Sequence, residues 1–551
     1  MRDDCTSTGA DAIVDVLLAA GVRCIFSLSG NQIMPLYDAL LDSGIRLVHV
    51  RHEAAAVYMA EAWAQLTGQP GIALVTAGAG FGNALGALIS ARASETPVIL
   101  LSGDSPRSQD GMGAFQELDQ VAMAAPVAKW VRRAHAADTV DHDLAEAMRH
   151  ACAGRPGPVH LALPADVLTG TRGSRTHPVD LAPPGQDLST ADALAIGAFL
   201  HDARWPLILA GPTLSPTRSG DLLARIGAAF AVPALSMESP RGLRDPSLGA
   251  VIDLTRKADR ILLLGKSPDF TTGFLGRDMG APDALFAMID PDAAEIARAR
   301  DRVGARLRIA VRADAVPASR RMVASAPQAP DRTDWLAETE DALGRRLAPD
   351  EADDHDGLHS AEVAAAVALR LAEAEGAVLI ADGGEFGQWA QTIAHRGPRI
   401  INGVSGAIGA GPAYAIAASL ARPGVPVVAL MGDGTAGFLL AEYETASREG
   451  VRFVAVIGND AKWNAEHQIQ LREFGPDRAH SCELSPAARY DLAAAALGAH
   501  GEHVAGGGPD ALDAALGRAL ASGRPACVNV RIRPVAAPVV PSTGPAAEAV
   551  H

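Results

Sequence analysis

VPVVALMGDGTAGFLLAEYETASREGVRFVAVIGND, residues 425–460, decides the fold. It opens on an apolar, β-branched run that stops at Gly432-Asp433-Gly434. The stretch FLLAEYETASRE (438–449) then reads as one helix, ended by Gly450. A second β-branched run, 452–457, leads into Gly458-Asn459-Asp460. Strand, helix, strand in this order is a βαβ unit, so the two strands are parallel. Both deliver oxygen-bearing side chains to the same carboxyl end of a sheet, where open α/β sheets gather ligands. Asp433 and Asp460 are 27 residues apart, and Asn459 is 26 from Asp433. Hard oxygen ligands suit Mg2+, which shares its shell between one or two carboxylates, water and substrate phosphates. The spacing therefore points to a metal-bridged diphosphate. Glycine on each side of Asp433 lets backbone N–H groups approach an anion, although a lone GDG is also an ordinary Asp-Gly turn.

The same rhythm runs through most of the 551 residues. Short apolar runs recur at 45–50, 71–78, 96–103 and 157–164, then at 205–212 and 260–266, and again at 377–384, each separated by alanine-rich helical stretches. A Pro/Gly-rich break (182–188) and an Asp-rich stretch, PDEADDHD (349–356), divide the chain. The expected architecture is α/β, with three doubly wound parallel-sheet domains at 1–175, 189–320 and 357–534. A Pro/Ala-rich, flexible tail is expected at 535–551.

Composition narrows the function. A net charge of −16 repels a phosphate backbone, which argues against nucleic acid as a partner. The five cysteines form no CxxC pair, so a zinc site or disulfide framework is not indicated and a reducing, cytoplasmic setting is expected. No run approaches the length of a membrane span, and the MRDDC start lacks the pattern of a signal peptide.

One charge stands out. In VHVRHEAAAVYMAEAWA (48–64), Glu53 opens a mostly apolar helix just after a strand. Alone it would be an ordinary partner of the helix dipole. Combined with the GDG unit it reads as a carboxyl group held in a poorly solvated place. His49 and His52 beside it read as structural.

These stretches together resemble the thiamine-diphosphate (ThDP) enzymes. RHEAAAVYMAEAWAQLTGQPGIALVTAGAGFGN (51–83) looks like the pyrimidine-binding half of the acetolactate synthase, benzaldehyde lyase and 2-hydroxyacyl-CoA lyase group. GAFQELDQVAMAAPVAKW (113–130), RPGPVHLALPADVL (155–168) and INGVSGAIGAGPAYAIAASL (401–420) are similar to the same group. The resemblance implies a pyrimidine-binding, a central and a diphosphate-binding domain, with ThDP and Mg2+ as cofactors. It places the catalytic glutamate at Glu53 and metal ligands at Asp433 and at Asp460 or Asn459. A backbone carbonyl near Ala461 or Lys462 would complete the protein's share of the metal shell. Gly384, Glu385 and Phe386 fall where the family contacts diphosphate, beside Gly432, Gly434 and Thr435. Ile408 falls where an apolar wedge bends the cofactor, and Trp463 also lies near it. Gln32 and Gln116 are candidate catalytic residues facing a small-molecule substrate, alongside Asn31, Phe115 and His467. The implied chemistry is cleavage or formation of a C–C bond next to a carbonyl through a ylid and an enamine. Its substrates would be 2-oxo acids, 2-hydroxy ketones or 2-hydroxyacyl thioesters. The family's site lies between subunits, so a dimer or tetramer is implied. Trp463 stands closer to the metal strand than in the acetolactate synthase pattern, which favours the lyase and carboligase branch over acetolactate-type condensation. The glycine-rich loops 78–82 and 403–411 leave open a flavin or nicotinamide oxidoreductase, or a non-catalytic nucleotide-binding relative.

Overall fold

A computed structural model describes residues 7–173, 179–345, 357–393 and 397–540. The expected linker 349–356 and tail residues 541–551 lie outside these. Three parallel sheets make up the described chain. The first holds β1 (Cys24–Ser27), β2 (Arg46–His49), β3 (Gly71–Val75), β4 (Val98–Asp104), β5 (Trp130–Arg133) and β6 (Val159–Pro164). The second holds β7 (Pro206–Ala210), β8 (Ala234–Ser236), β9 (Arg260–Leu264), β10 (Leu285–Ile289) and β11 (Leu307–Val311). The third holds β12 (Val378–Asp382), β13 (Arg399–Ile401), β14 (Val427–Gly432), β15 (Val454–Asn459), β16 (His500–Val504) and β17 (Ala526–Arg531). Central strands such as β3, β4 and β12 are buried throughout, as parallel strands covered by helices on both faces must be.

The strand orders are β2-β1-β3-β4-β6-β5 in the first sheet and β13-β12-β14-β15-β17-β16 in the third. These are the same order, displaced by eleven strands. In each, the connections leave in opposite directions from two adjacent strands, β1 and β3 in the first and β12 and β14 in the third, and the loops there form a crevice for ligands. Gln32 and Thr76 sit on the first pair of loops, Gly384 and Asp433 on the second.

The first and third sheets share one core. Helix Glu53–Thr67 packs its alanine-rich face on helix Gly411–Ala421, and residues of both domains form a single apolar cluster. Glu61 is fully buried in that seam. It accepts hydrogen bonds from Tyr414 Oη (2.9 Å), Ser94 Oγ (2.5 Å) and Ser90 Oγ (3.3 Å). Burial pushes its carboxyl up from the usual range, and these donors oppose the shift. The central domain joins at the same place, because the Arg218 guanidinium donates to the Ser94 and Glu95 carbonyls. Arg155 further links Glu95 to Asp290 of the central domain.

Three boundaries differ from the sequence reading. The central domain continues past residue 320: helix Thr333–Gly344 packs Trp335 and Ala342 against Ala250 and Leu254. Residues 438–449 are not one helix, since a turn separates the short helix Asp433–Ala436 from helix Glu442–Glu449. Residues 535–540 are tied down: the Val535 carbonyl accepts from Asn464, the Ala536 carbonyl from Trp389, and Val540 packs on the central domain. No helix among the described residues is long and apolar enough to cross a membrane.

Candidate active site

Two half-sites lie at the two sheet crevices. The one on the third sheet is a cavity of about 320 Å3. Asp433 starts its helix at the end of β14 and is buried, while Asp460 directly follows the last residue of the neighbouring strand β15. The backbone amides of Gly434, Ala461 and Lys462 face the Asp433 carboxyl and favour its charged form. Asp460 Oδ1 accepts the Lys462 N–H at 3.1 Å. Burial pushes both carboxyls up, and the Asp433 charge pushes Asp460 further. Two carboxyls forced together in a poorly solvated cavity form a strong acceptor for a divalent cation.

The structure turns Asn459 away from this cavity. Its Nδ2 donates to Asn529 Oδ1 (3.2 Å), and its Oδ1 accepts the Ala461 N–H (3.1 Å). That second bond holds Ala461 at φ 56°, a conformation unusual for a residue with a side chain. Asn459 thus shapes the loop, and Asp460 is the residue presented to the cavity. The Ala461 carbonyl accepts the Leu484 N–H at 2.7 Å, which makes the Lys462 carbonyl the freer of the two backbone candidates.

The rest of the cavity is a cradle. Asp382 accepts the Gly409 (3.0 Å) and Gly411 (2.8 Å) N–H groups and so fixes the loop bearing Ile408. A Cβ on Gly383 would lie 2.6 Å from Ile408 Cγ2, whereas one on Gly384 would meet nothing within 4 Å. Glu385 lines the cavity and accepts from Gln388, and burial raises its carboxyl. Phe386 packs over Gly458, and Thr435 Oγ1 donates to the Gly432 carbonyl. Gly434 lies under the Trp463 ring, where a Cβ would approach to 2.8 Å. The cavity also takes Ser239, Pro240 and Arg241 from the central domain. The sequence reading missed these, because no local pattern marks residues brought in from another sheet.

These features fit a Mg2+-bound diphosphate: paired carboxylates, glycines without side chains to obstruct it, and an open floor at Gly384. Among the described residues, no group of three or more His, Cys, Asp or Glu could hold a metal. The cation would therefore draw part of its shell from backbone, water and phosphate oxygens, as Mg2+ does.

The other half-site gathers around residues 76–80, at the end of β3. Thr76 Oγ1 donates to Gln32 Oε1 (2.6 Å), and Gln32 Nε2 donates to Gln116 Oε1 (2.7 Å). Gln116 has φ 59°, and its Cβ stands where a side chain on Gly78 would be, 2.8 Å away. Glu53 opens its helix with 8% of its surface exposed. Asn83 Nδ2 donates to Glu53 Oε2 at 3.0 Å, and a Cβ on Gly80 would lie 3.2 Å from Glu53 Oε1. The loop 78–82 is thus part of the Glu53 site. His52 caps the Glu53 helix, and His49 bonds Ser29. Phe115 and Met112 beside Gln116 are exposed at 71% and 75%.

The structure brings Glu53, Gln32 and Gln116 together, but among the described residues none of their domain lines the Asp433 cavity in the same chain. Residues 7–123 match the N-terminal TPP binding domain of thiamine pyrophosphate enzymes, and residues 382–530 match their C-terminal TPP binding domain. The acetolactate synthase large subunit of Mycobacterium tuberculosis is 33% identical, over 94% of both chains. The chain belongs to the thiamine pyrophosphate enzyme family. The 2-hydroxyacyl-CoA lyase 2 of Bos taurus is 31% identical over 90% of this chain and 85% of its own, and that of Homo sapiens 30% over 90% and 84%. The two matched segments coincide with the two half-sites: Glu53, Gln32 and Gln116 fall in the first, and Gly384, Ile408, Asp433 and Asp460 in the second. The thiamine pyrophosphate enzyme relatives thus span both the synthase and lyase branches of the group.

Proposed function

We propose that this chain is a Mg2+-dependent ThDP lyase or carboligase acting on 2-oxo acids, 2-hydroxy ketones or 2-hydroxyacyl thioesters. The observation that carries the reading is the division of the site. A diphosphate cradle and a glutamate pocket exist in one chain, yet among the described residues none from the pocket's domain lines the cradle. A second copy placing its Glu53 over the cradle would complete each site, which makes a dimer, or a pair of dimers, the active form.

In this reading Asp433, Asp460 and the Lys462 carbonyl hold Mg2+, and Gly384, Glu385 and Phe386 border the diphosphate. Ile408, pressed against Gly383, wedges the cofactor. Glu53 holds a proton at a pyrimidine nitrogen, and its buried position lets one hydrogen bond count for more than it would in water. The linked Gln32 and Gln116 amides orient a substrate carbonyl. The bound thiazolium ring supplies the electron sink at which a bond beside that carbonyl breaks or forms. Trp463 over Gly434 narrows the cavity and supports the lyase and carboligase branch. The free thiols of Cys24, Cys152, Cys482 and Cys527 support a reducing, cytoplasmic setting. Acetolactate-type condensation is the second reading, supported by the Mycobacterium tuberculosis relative.

Pyruvate, benzoin-type ketones and 2-hydroxyacyl-CoA esters, each assayed with and without ThDP and Mg2+, test the proposal. Turnover of a hydroxy ketone or hydroxyacyl thioester supports cleavage, and acetolactate from pyruvate supports condensation. No turnover of any, with no thermal shift from ThDP and Mg2+, would sink both.

A further inference from the structure

Helix Glu442–Glu449 starts nine residues after Asp433 and runs beside the turn that carries Glu53. Contacts from several of its residues join this helix to β2 and the turn after it within one chain, Arg51 pairing with Glu444 at 3.9 Å among them. Arg46 pairs with Glu449 at 2.9 Å, and Arg448 donates to the His49 carbonyl. Glu442 reaches the turn itself: its Oε1 accepts the Arg51 N–H at 3.0 Å, and the His52 backbone amide faces the same carboxyl. Thr445 Oγ1 donates to Glu442 Oε2 at 2.7 Å. Glu442 is 0% exposed. A buried carboxyl is costly unless its hydrogen bonds are made, so this one is committed to its donors. Arg51 and His52 are the two residues before Glu53, and fixing their backbone fixes the start of the Glu53 helix.

We propose that Glu442 is a positioning residue for Glu53, holding the backbone of residues 51–52 so that the Glu53 carboxyl stands at the distance its hydrogen bond to the pyrimidine ring requires. The proposal rests on the role given to Glu53 above. It adds a link between sites. Asp433 and Glu442 end one short stretch of the same chain, but Asp433 serves one site of a dimer and that chain's Glu53 serves the other. The metal loop of one site is thereby tied through residues 433–442 to the acid of its neighbour.

The test uses full-length Glu442→Ala and Glu442→Gln, with Glu53→Gln as control. Amide hydrogen exchange of residues 50–54 is read in cofactor-free protein. Exchange of the cofactor C2 proton with D2O, followed by acid quench and NMR, is read after loading with ThDP and Mg2+ and needs no substrate. In Glu442→Ala the amides of residues 51 and 52 should exchange about tenfold faster. C2 exchange should slow about 10- to 100-fold, as a misplacement near 1 Å brings. ThDP affinity should hold, because the Asp433 cradle is untouched. Glu442→Gln keeps one acceptor and should fall between; it carries the same readouts if the alanine variant does not fold. Faster amide exchange with unchanged C2 exchange would reduce Glu442 to a structural contact between domains and overturn the proposal, as would unchanged amide exchange. If Glu53→Gln itself leaves C2 exchange at the parent rate, the role of Glu53 fails, and the Glu442 proposal fails with it. If Glu53→Gln slows exchange and the Glu442 variants do not, only the Glu442 proposal fails.

Discussion

Mixing two inactive variants should restore activity, by an amount the geometry sets. Glu53→Gln disables the pyrimidine half of a chain, and Asp433→Asn disables its diphosphate half. Each homodimer then carries a lesion in both sites. In a mixed dimer, one site combines the Glu53→Gln pocket with the Asp433→Asn cradle and carries both lesions. The other combines an intact pocket with an intact cradle. A mixed dimer should therefore show about half the parent turnover per dimer. Random assortment of equal amounts makes about half of all dimers mixed, so the sample should recover about one quarter of parent activity. A tetramer built from two such dimers gives the same fraction. The assay is co-refolding or co-expression of differently tagged variants, tandem purification to confirm mixed species, and turnover of whichever substrate the panel identifies. Purified mixed dimers that remain as inactive as their parents would refute the division of the site between chains.

Other outcomes follow from particular contacts. Asp460→Asn should weaken Mg2+-dependent ThDP binding about 10- to 100-fold in titration calorimetry, whereas Asn459→Ala should cost stability while leaving the metal requirement in place. Gly434→Ala places a Cβ 2.8 Å from the Trp463 ring, and it should cost about 1–3 kcal/mol in chemical denaturation and weaken cofactor binding. His160 is buried beside Phe81, with its Nε2 2.8 Å from Ser102 Oγ, and burial pushes its pKa down from 6.5 to about 3. The unfolded chain takes up a proton there below pH 6.5 and the folded chain does not, so stability from this group falls as pH drops from 6.5 towards 3. Between pH 7 and pH 5 the parent should lose about 2 kcal/mol more than His160→Gln in urea denaturation; equal losses would show that His160 is not the titrating group.

The sheets were legible because buried parallel strands are written as continuous apolar runs, and β12, β14 and β15 lie where such runs stand. Asp433 and Asp460 were legible for the same reason, since a strand end locates a side chain without knowledge of its partners. Asn459 was not separable from Asp460 by sequence. Adjacent strand-end residues point to opposite sides, and only the Asn529 and Ala461 contacts reveal which one faces inward. The break within 438–449 was hidden because FLLAEYET keeps an apolar face that a turn can also bury. Arg241 and Ser239 carry no local signal: their role depends on how the central domain sits against the third. Trp335 extends the central domain through a contact made more than eighty residues from Leu254 in sequence, beyond any periodicity argument.

The common core beneath helices Glu53–Thr67 and Gly411–Ala421 has a consequence for how such a chain can be inherited. Neither outer domain can be exchanged alone for one from another lineage, because its alanine face is cut to fit the other's and Glu61 needs Tyr414 as a donor. The unit of recombination is the pair. The central domain is tied to both, through Arg155 and Arg218 to the first and through Thr217 and Glu238 to Arg399 of the third, and it lends Arg241 to the cavity, so replacing it would mean remaking those contacts.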